Sequence, residues 1–285
     1  TGYVRNYGFE AMLSYGHRWG DFGWDSSFTF SANKNEIVEL VKDYVHPETG
    51  KTYNVDKLEL KTDEGRGFGK AKFILKEGGT LGDLYTHADL KRDINGNVLI
   101  DDSGNVTAID NAGDIKLGSV LPKANLAWNN SFSYKGINAG FLLTARLGGI
   151  VYSATQAYLD LYGVSETSAA ARDAGGVWIN GRSRVNPQSF YEVVASQSGL
   201  PTYYTYSATN LRLQEAHIGY TVPRRWLGNV CDINVSLVGR NLWMIYCKAP
   251  FDPEAVATTN NYYQGIDYFM MPSTRNIGFN VKINF

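Results

Sequence analysis

Apolar and polar residues alternate strictly along much of this chain, the period of a β-strand, whereas the i, i+3, i+4 spacing of an amphipathic helix is poor nearly everywhere. Near the end Ile277, Phe279, Val281, Ile283 and Phe285 alternate with Asn276, Gly278, Asn280, Lys282 and Asn284. Phe22, Trp24, Phe28 and Phe30 share one face, against Asp21, Gly23, Asp25, Ser27 and Thr29. Leu126, Trp128, Phe132 and Tyr134 oppose Asn125, Asn129, Ser131 and Ser133, and the segments from Ile137 and from Ile233 repeat the pattern. One face is apolar and aromatic, the other strongly polar.

Nine strands are expected, at about residues 5–16, 20–33, 66–76, 81–91, 123–134, 137–148, 206–221, 230–242 and 273–285. Within the seventh the apolar phase moves from Leu211 and Leu213 to Ala216, Ile218 and Tyr220, which predicts a bulge. The clearest segments run to about 10–13 residues, longer than the roughly 5–6 usual in globular sheets and close to the 9–11 that a tilted transmembrane strand needs. Short links alternate with long ones, the asymmetry of outer-membrane barrels with tight periplasmic turns and long extracellular loops. The fold class expected is therefore all-β, an antiparallel transmembrane β-barrel. A soluble sandwich gives the same alternation, and strand length separates the two. Because bacterial barrels close on even strand numbers and open edges are too costly in lipid, nine strands predict a larger barrel of which this is one part.

Composition agrees. Charged residues are 19% of the chain and aromatic ones 13%, while Lys+Arg (27) and Asp+Glu (28) balance, which argues against a nucleic-acid binder with its basic face. No run approaches the roughly 18 apolar residues of a membrane-spanning helix. Two cysteines, Cys231 and Cys247, bracket one strand too far apart to bridge, so no disulfide framework is expected. The chain opens without an initiator Met or a signal peptide and enters mid-pattern, as a fragment or processed product would.

The strings NLRLQEAHIGYTVPRRWL, VSLVGRNLWMIYCKAPFDPE and QGIDYFMMPSTRNIGFNVKINF carry a resemblance, joined upstream by GFEAMLSYG, FTFSANKNEIVEL, GGTLGDLYTH, DINGNVLIDDSGN and LGSVLPKANLAWNNSFSYKGINAGFLLTARLGG. Together these blocks, in this order, resemble the C-terminal part of SusC/RagA-type TonB-dependent transporters of Bacteroidetes outer membranes. The resemblance implies a 22-stranded barrel filled by an N-terminal plug domain and covered by a SusD-like surface lipoprotein. It also implies TonB-energised import of oligosaccharides or oligopeptides in the outer membrane of a Gram-negative bacterium. Residues 1–285 would then be the C-terminal part of the barrel, with plug and N-terminal strands elsewhere, and the remaining transporter, the lid, the TonB complex, the cargo and the bilayer as partners. A passive porin shares the alternation and the terminal Phe, and siderophore or vitamin receptors share the barrel. The blocks LPKANLAWNNSFSYKG and NLWMIYCKAPFDPE point to the SusC/RagA branch.

Candidate residues follow. No catalytic constellation is expected: the four His, at 17, 46, 87 and 217, fall on separate segments, so the chain reads as a non-enzyme without cofactor or metal. Asp93, Asn95 and Asn97 start like a calcium loop, but Val98 and Gly104 stand where Gly and Glu are required, and a hairpin with a type I′ turn at Asn95-Gly96 fits better. Asp25, Arg146, Asp232, Arg240 and Lys282 are placed facing the lumen, where they either line a solute path or hydrogen-bond the filling domain. In the extracellular loops Trp178, Tyr203, Tyr204, Tyr206, Tyr262 and Tyr263 are the candidate substrate contacts, since an aromatic face packs on a sugar ring or peptide side chain while its polar tip hydrogen-bonds. Phe285 is the candidate barrel-assembly signal, at the periplasmic rim.

Overall fold

A computed structural model of the chain describes residues 2–60, 70–228, 230–257 and 264–284. Seven long strands form one antiparallel sheet: β1 Tyr3–Trp19, β2 Phe22–Glu39, β3 Ala124–Tyr134, β4 Ile137–Leu147, β5 Asn210–Val222, β6 Asp232–Cys247 and β7 Asn276–Asn284. Each pairs with its sequence neighbour, in the order β1-β2-β3-β4-β5-β6-β7, and β1 and β7 are open edges. This is a sector of barrel wall. Its two-residue turns, Gly20-Asp21 and Lys135-Gly136, and the link at 223–231 lie at one end. Residues 40–123, 148–209 and 248–275 connect the other end. Lys135 and Gly136 both take positive φ, 47° and 91°, as a type I′ hairpin demands.

The pairing places the alternating residues on common faces. Leu13 lies opposite Phe28, which lies opposite Trp128, which lies opposite Leu143. Leu13 and Phe279 are 74% and 81% exposed, which for apolar side chains on one continuous face requires lipid rather than water. On β1 the outer band runs from Phe9 to Trp19, about 33 Å of strand at about 3.3 Å per residue, or roughly 23–25 Å of depth at a 45° tilt. Above it stand outward-facing charges: Arg5 donates to Glu36 at 2.9 Å, and Lys34 lies over the Tyr7 ring at 5.5 Å. Below it Trp19 stacks on Phe22 at 5.9 Å. Where indoles meet the apolar face, their N–H groups are satisfied within the sheet, Trp24 by Asn130 at 3.1 Å and Trp128 by Ser26 at 3.0 Å. The anticipated bulge falls at Gln214, where Leu142 pairs with Glu215 and Leu143 with Leu213.

Two expected strands are not in the wall. The segments at 66–76 and 81–91 contribute Lys72–Lys76 and Asp83–Thr86, which join Lys57–Glu59 and Ile115–Ser119 in a separate four-stranded sheet. Phe73, Ile74 and Leu84 are fully buried there. These strands are short and covered on both faces, so their apolar content serves a core rather than a lipid surface.

That core lies in the long loops, not against the wall. Phe73, Leu84, Leu90 and Val120 from the first, Tyr152, Phe190, Val194 and Leu200 from the second, and Ile266 from the third pack into one cluster. The second loop is not plain coil. It folds into α1 Ala154–Leu161, α2 Glu166–Asp173 and α3 Pro187–Val194, with N-caps Ser153, Ser165 and Asn186 accepting from the first-turn amides. Eight-residue helices are shorter than the 11–18-residue window in which helical periodicity is legible. Among the described residues no helix is long and apolar enough to cross a membrane.

Candidate functional site

The loop core forms a cap over one end of the wall, and the space between cap and polar face is the candidate site. Two arginines of the polar face tie the cap down. On β4, Arg146 donates from Nη2 to the carbonyl of Val120 at 2.7 Å. On β5, the guanidinium of Arg212 makes two bonds to Asp252, at 2.8 and 3.2 Å, and lies 3.3 Å from Glu254, while its Nε donates to Asn210. The Arg212 and Asp252 side chains are more than nine-tenths buried. Burial raises the Asp252 carboxyl, and the hydrogen bonds from Arg212, from Ser273 and from the Glu254 backbone more than reverse this, holding it below the usual carboxylate value.

Beneath the cap lie two recesses. One, of about 570 Å³, sits where the upper ends of β2 to β4 meet residues 118–123; the other, of about 830 Å³, continues down the polar face. Both are lined by Glu10, Ser31 and Asn125.

The five expected lumen residues all lie on this face, and four of them are tied to the chain's own groups. Asp25 accepts from Arg18 at 2.7 Å, Asp232 lies 3.4 Å from Arg224, Arg240 donates to Glu215 at 2.9 Å, and Arg146 holds Val120. Lys282 pairs in register with Asn234 and has no ion pair among the described residues.

The aromatic candidates separate. Trp178 is 55% exposed on a hairpin, with the Arg184 guanidinium 4.4 Å from its ring centre. Tyr203 and Tyr206 are half-buried, packed edge-on against Phe190 at 6.1 Å and Phe251 at 5.5 Å. Tyr204 is a core residue and not a surface one: it is 2% exposed, and its hydroxyl donates to Asp160 at 3.0 Å. Burial foremost, and the neighbouring Asp160 charge, push the Tyr204 phenol far up, so it remains a donor. Tyr262, Tyr263 and Phe285 lie outside the described residues.

Asp160 organises the helical part of the cap. Its buried carboxylate accepts from Tyr204, from Thr167 at 2.8 Å, from Gln156 at 3.2 Å and from Ser165, which joins α1 to α2 and to the core. Tyr204→Phe is therefore expected to cost about 1–3 kcal/mol, because a buried acceptor loses a donor that no water replaces. Trp178→Ala, at an exposed position, is expected to change stability by less than about 0.5 kcal/mol. Denaturant titration of both variants, followed by protease resistance of the cap, checks the contrast.

The tandem Asp-x-Asn/Ser-Gly-Asn-Val motifs at Asp93 and Asp101 form matching hairpins. Each Asp accepts from the amides two and four residues on, as Asp93 Oδ1 does from Asn95 and Asn97. Gly96 and Gly104 take positive φ, 83° and 80°, but Asn95 does not, so the turn is a type I with a glycine bulge rather than the expected I′. The Asp93 oxygens are spent on the turn itself, and burial of Val98 and Val106 fastens both hairpins to the core. The amide of Asn180 pairs with both backbone groups of Val98, at 2.8 and 3.0 Å, and so locks the first loop to the second. Arg212, Asp252, Asp160 and Asn180 were not singled out by sequence reasoning. The capping residues Ser153, Ser165 and Asn186-Pro187 are the signal by which the helices carrying Asp160 are recognisable.

No family model matches the chain. Among curated proteins it is 25% identical over 289 residues to the TonB-dependent receptor P3 of Formosa agariphila, covering 92% of this chain and 27% of that receptor. It is also 25% identical to TonB-dependent receptor P26 of the same organism, covering 100% of this chain and 29% of that one. Among solved structures the RagAB peptide transporter superposes with a TM-score of 0.67 at 17% identity, covering 100% of this chain and 30% of that one. A second RagAB structure, the peptide importer in its closed-closed state, gives 0.66 at 16%. In sequence the chain is similar over nearly its whole length to TonB-dependent receptors, and in fold to the RagAB transporter. It spans less than a third of the length of the relatives it matches. With that barrel fold the seven strands are transmembrane wall, with the apolar face toward lipid and the polar face toward the lumen. These relatives are receptors and transporters rather than enzymes.

Proposed function

We propose that this chain supplies wall and extracellular cap to an outer-membrane importer that takes up oligosaccharides or oligopeptides. Import is energised by TonB acting on a plug domain, with a SusD-like lipoprotein as the lid. The observation that carries the reading is the pairing of a lipid-facing wall with a densely packed cap above its polar lumen face. A passive pore needs no such enclosure, whereas a receptor that captures cargo before moving it needs a walled, water-accessible chamber. Trp178, Tyr203 and Tyr206 stand in the loops that build the cap, and in this reading Trp178 offers cargo or lid its free ring face. The location, in the outer membrane of a Gram-negative bacterium, follows from the same reading.

The test is uptake by cells carrying the full receptor, with and without TonB. Cargo accumulation that disappears with TonB supports the importer; accumulation that persists makes the protein a passive pore. As part of the same reading, Phe285 marks the barrel for assembly. Phe285→Ala is expected to reduce the heat-modifiable barrel in outer-membrane fractions while leaving total synthesis unchanged, as read by immunoblot of boiled and unboiled samples.

A further inference from the structure

The small sheet of the first long loop is closed by side chains rather than by backbone. Its strands run in the order Ile115–Ser119, Asp83–Thr86, Lys72–Lys76, Lys57–Glu59, so the first and last are its edges. In a flat sheet those edges would stand about 14 Å apart, three strand spacings of about 4.8 Å. Yet Lys57 Nζ, on one edge strand, reaches both oxygens of Asp114, at the entry to the other, at 2.7 and 2.5 Å. The sheet is therefore curled toward itself.

His87 stands inside this closure, directly after Asp83–Thr86. Its Nε2 lies 3.3 Å from Glu59 Oε2, and its Nδ1 lies 3.3 Å from Asp114 Oδ1 and 3.3 Å from the Gly113 carbonyl oxygen. The second oxygen of Glu59 accepts from Lys72 at 2.6 Å. Lys57, Asp114, His87, Glu59 and Lys72 thus form one row in which cations and anions alternate about a central imidazole. Both ring nitrogens face acceptors. A neutral imidazole has one N–H and one bare lone pair, so it satisfies one side of the row and sets a lone pair against oxygen on the other. The doubly protonated ring donates both ways.

The neighbouring charges are fixed. Hydrogen bonding from Lys72 foremost for Glu59, and from Lys57 for Asp114, outweighs partial burial and holds both carboxyls below their usual values. Both stay ionised between about pH 5 and 8, the range in which an imidazole changes charge. Lys76, opposite Lys57 in register, adds to the positive field at Asp114. Other charged residues on these elements pair elsewhere, Asp83 with Lys116 and Asp89 with Arg92.

We propose that His87 is a proton-operated latch on the cap, which joins Glu59 to Asp114 when both ring nitrogens are protonated and releases one of them when a proton leaves. The row is partly exposed, and such ion pairs are weak one at a time, so it holds as a network and depends on its centre. What moves is the edge strand Lys57–Glu59, paired with its neighbour at three positions, together with Leu60 at the margin of the cap core. None of the five residues lines either recess beneath the cap, so the latch acts on the shape of the first loop and not on contacts in those recesses. Its sign follows from the ring: closure is strongest on the acid side of the imidazole range and is lost as pH rises through it. The Arg212–Asp252 clamp has the opposite sign, since it fails on the acid side.

The experiment uses the full-length receptor in detergent, with every native cysteine, Cys231 and Cys247 included, replaced by serine. Spin labels are attached at Leu58→Cys and Asn111→Cys, exposed positions on the two edges and outside the row. Their separation is measured by double electron–electron resonance at about pH 5 and about pH 8. A single narrow distance is expected at the lower pH, and its loss to a longer, broader distribution at the higher. His87→Gln has the same donor and acceptor at every pH and is expected to give one distribution at both. Glu59→Ala cuts the row beside the ring and is expected to give the open distribution already at about pH 5, in a barrel that stays heat-modifiable. An unchanged wild-type distance across this range, a pH response that survives His87→Gln, or a closed seam in Glu59→Ala at the lower pH overturns the proposal.

Discussion

Arg212→Ala is expected to free the last long loop from the wall. The substitution leaves Asp252 buried with its charge uncompensated, and breaking a buried pair from one side costs about 3–5 kcal/mol. The loss falls on residues 248–257 because Asp252 and Glu254 are the groups through which that loop grips β5. The wall itself, held by backbone ladders, keeps its strands. Limited proteolysis is expected to show a new cut between Cys247 and Ala257 in a barrel that still resists SDS without boiling. Loss of the barrel altogether, or no new cut, refutes this division of labour. The same clamp gives the wild-type protein a pH dependence of known sign. Because the folded Asp252 pKa is lowered, its contribution is fully present above the ordinary carboxylate value near 4 and disappears as pH falls through the lowered one. Acid titration of the cut is expected to reproduce the variant's pattern in wild-type protein only as the pH falls below the ordinary carboxylate value.

Phe73→Ala is expected to have the second large effect, and in a different place. Phe73 is fully buried in the cap core, and truncating such a ring costs about 3–5 kcal/mol through lost burial and the cavity left behind. Because all three long loops share that core, the cap is expected to loosen as a unit, with protease sensitivity appearing at once in residues 70–120 and 150–209. Membrane insertion is expected to be normal, since the outer band is untouched. Cleavage confined to the first loop would mean that the three loops fold separately.

The wall was legible in the sequence because a barrel strand reports its surroundings at every residue. Ile277 to Ile283 meet lipid on alternate positions, and nothing in tertiary packing overrides that period. The cap was not, because its pieces are short and covered on all sides. Asp83–Thr86 is buried at all four positions, so no solvent- or lipid-facing side distinguishes it, and the sequence does not separate this short core strand from one more wall strand. Tyr204 shows the same limit at the candidate site. A Tyr in an aromatic loop looks like a ligand contact, and only the approach of Asp160 from α1 makes it a core donor. The lumen face lies between these cases: alternation places Asp25 and Arg240 on it, while their partners Arg18 and Glu215 depend on cross-strand register.

The outward-facing charges of Arg5, Lys34 and Glu36 act as a float line. They cannot enter hydrocarbon cheaply, so they fix how deep the wall sinks, at the level where Phe9 gives way to Tyr7. Ser31 and Glu10 pair in register one residue below Phe9, on the opposite face. Whatever is selected there is selected at the height of the lipid headgroups, in salt water whose screening length is about 8 Å. A distant charge on the cargo is nearly invisible from such a place, and discrimination falls to groups close enough to touch.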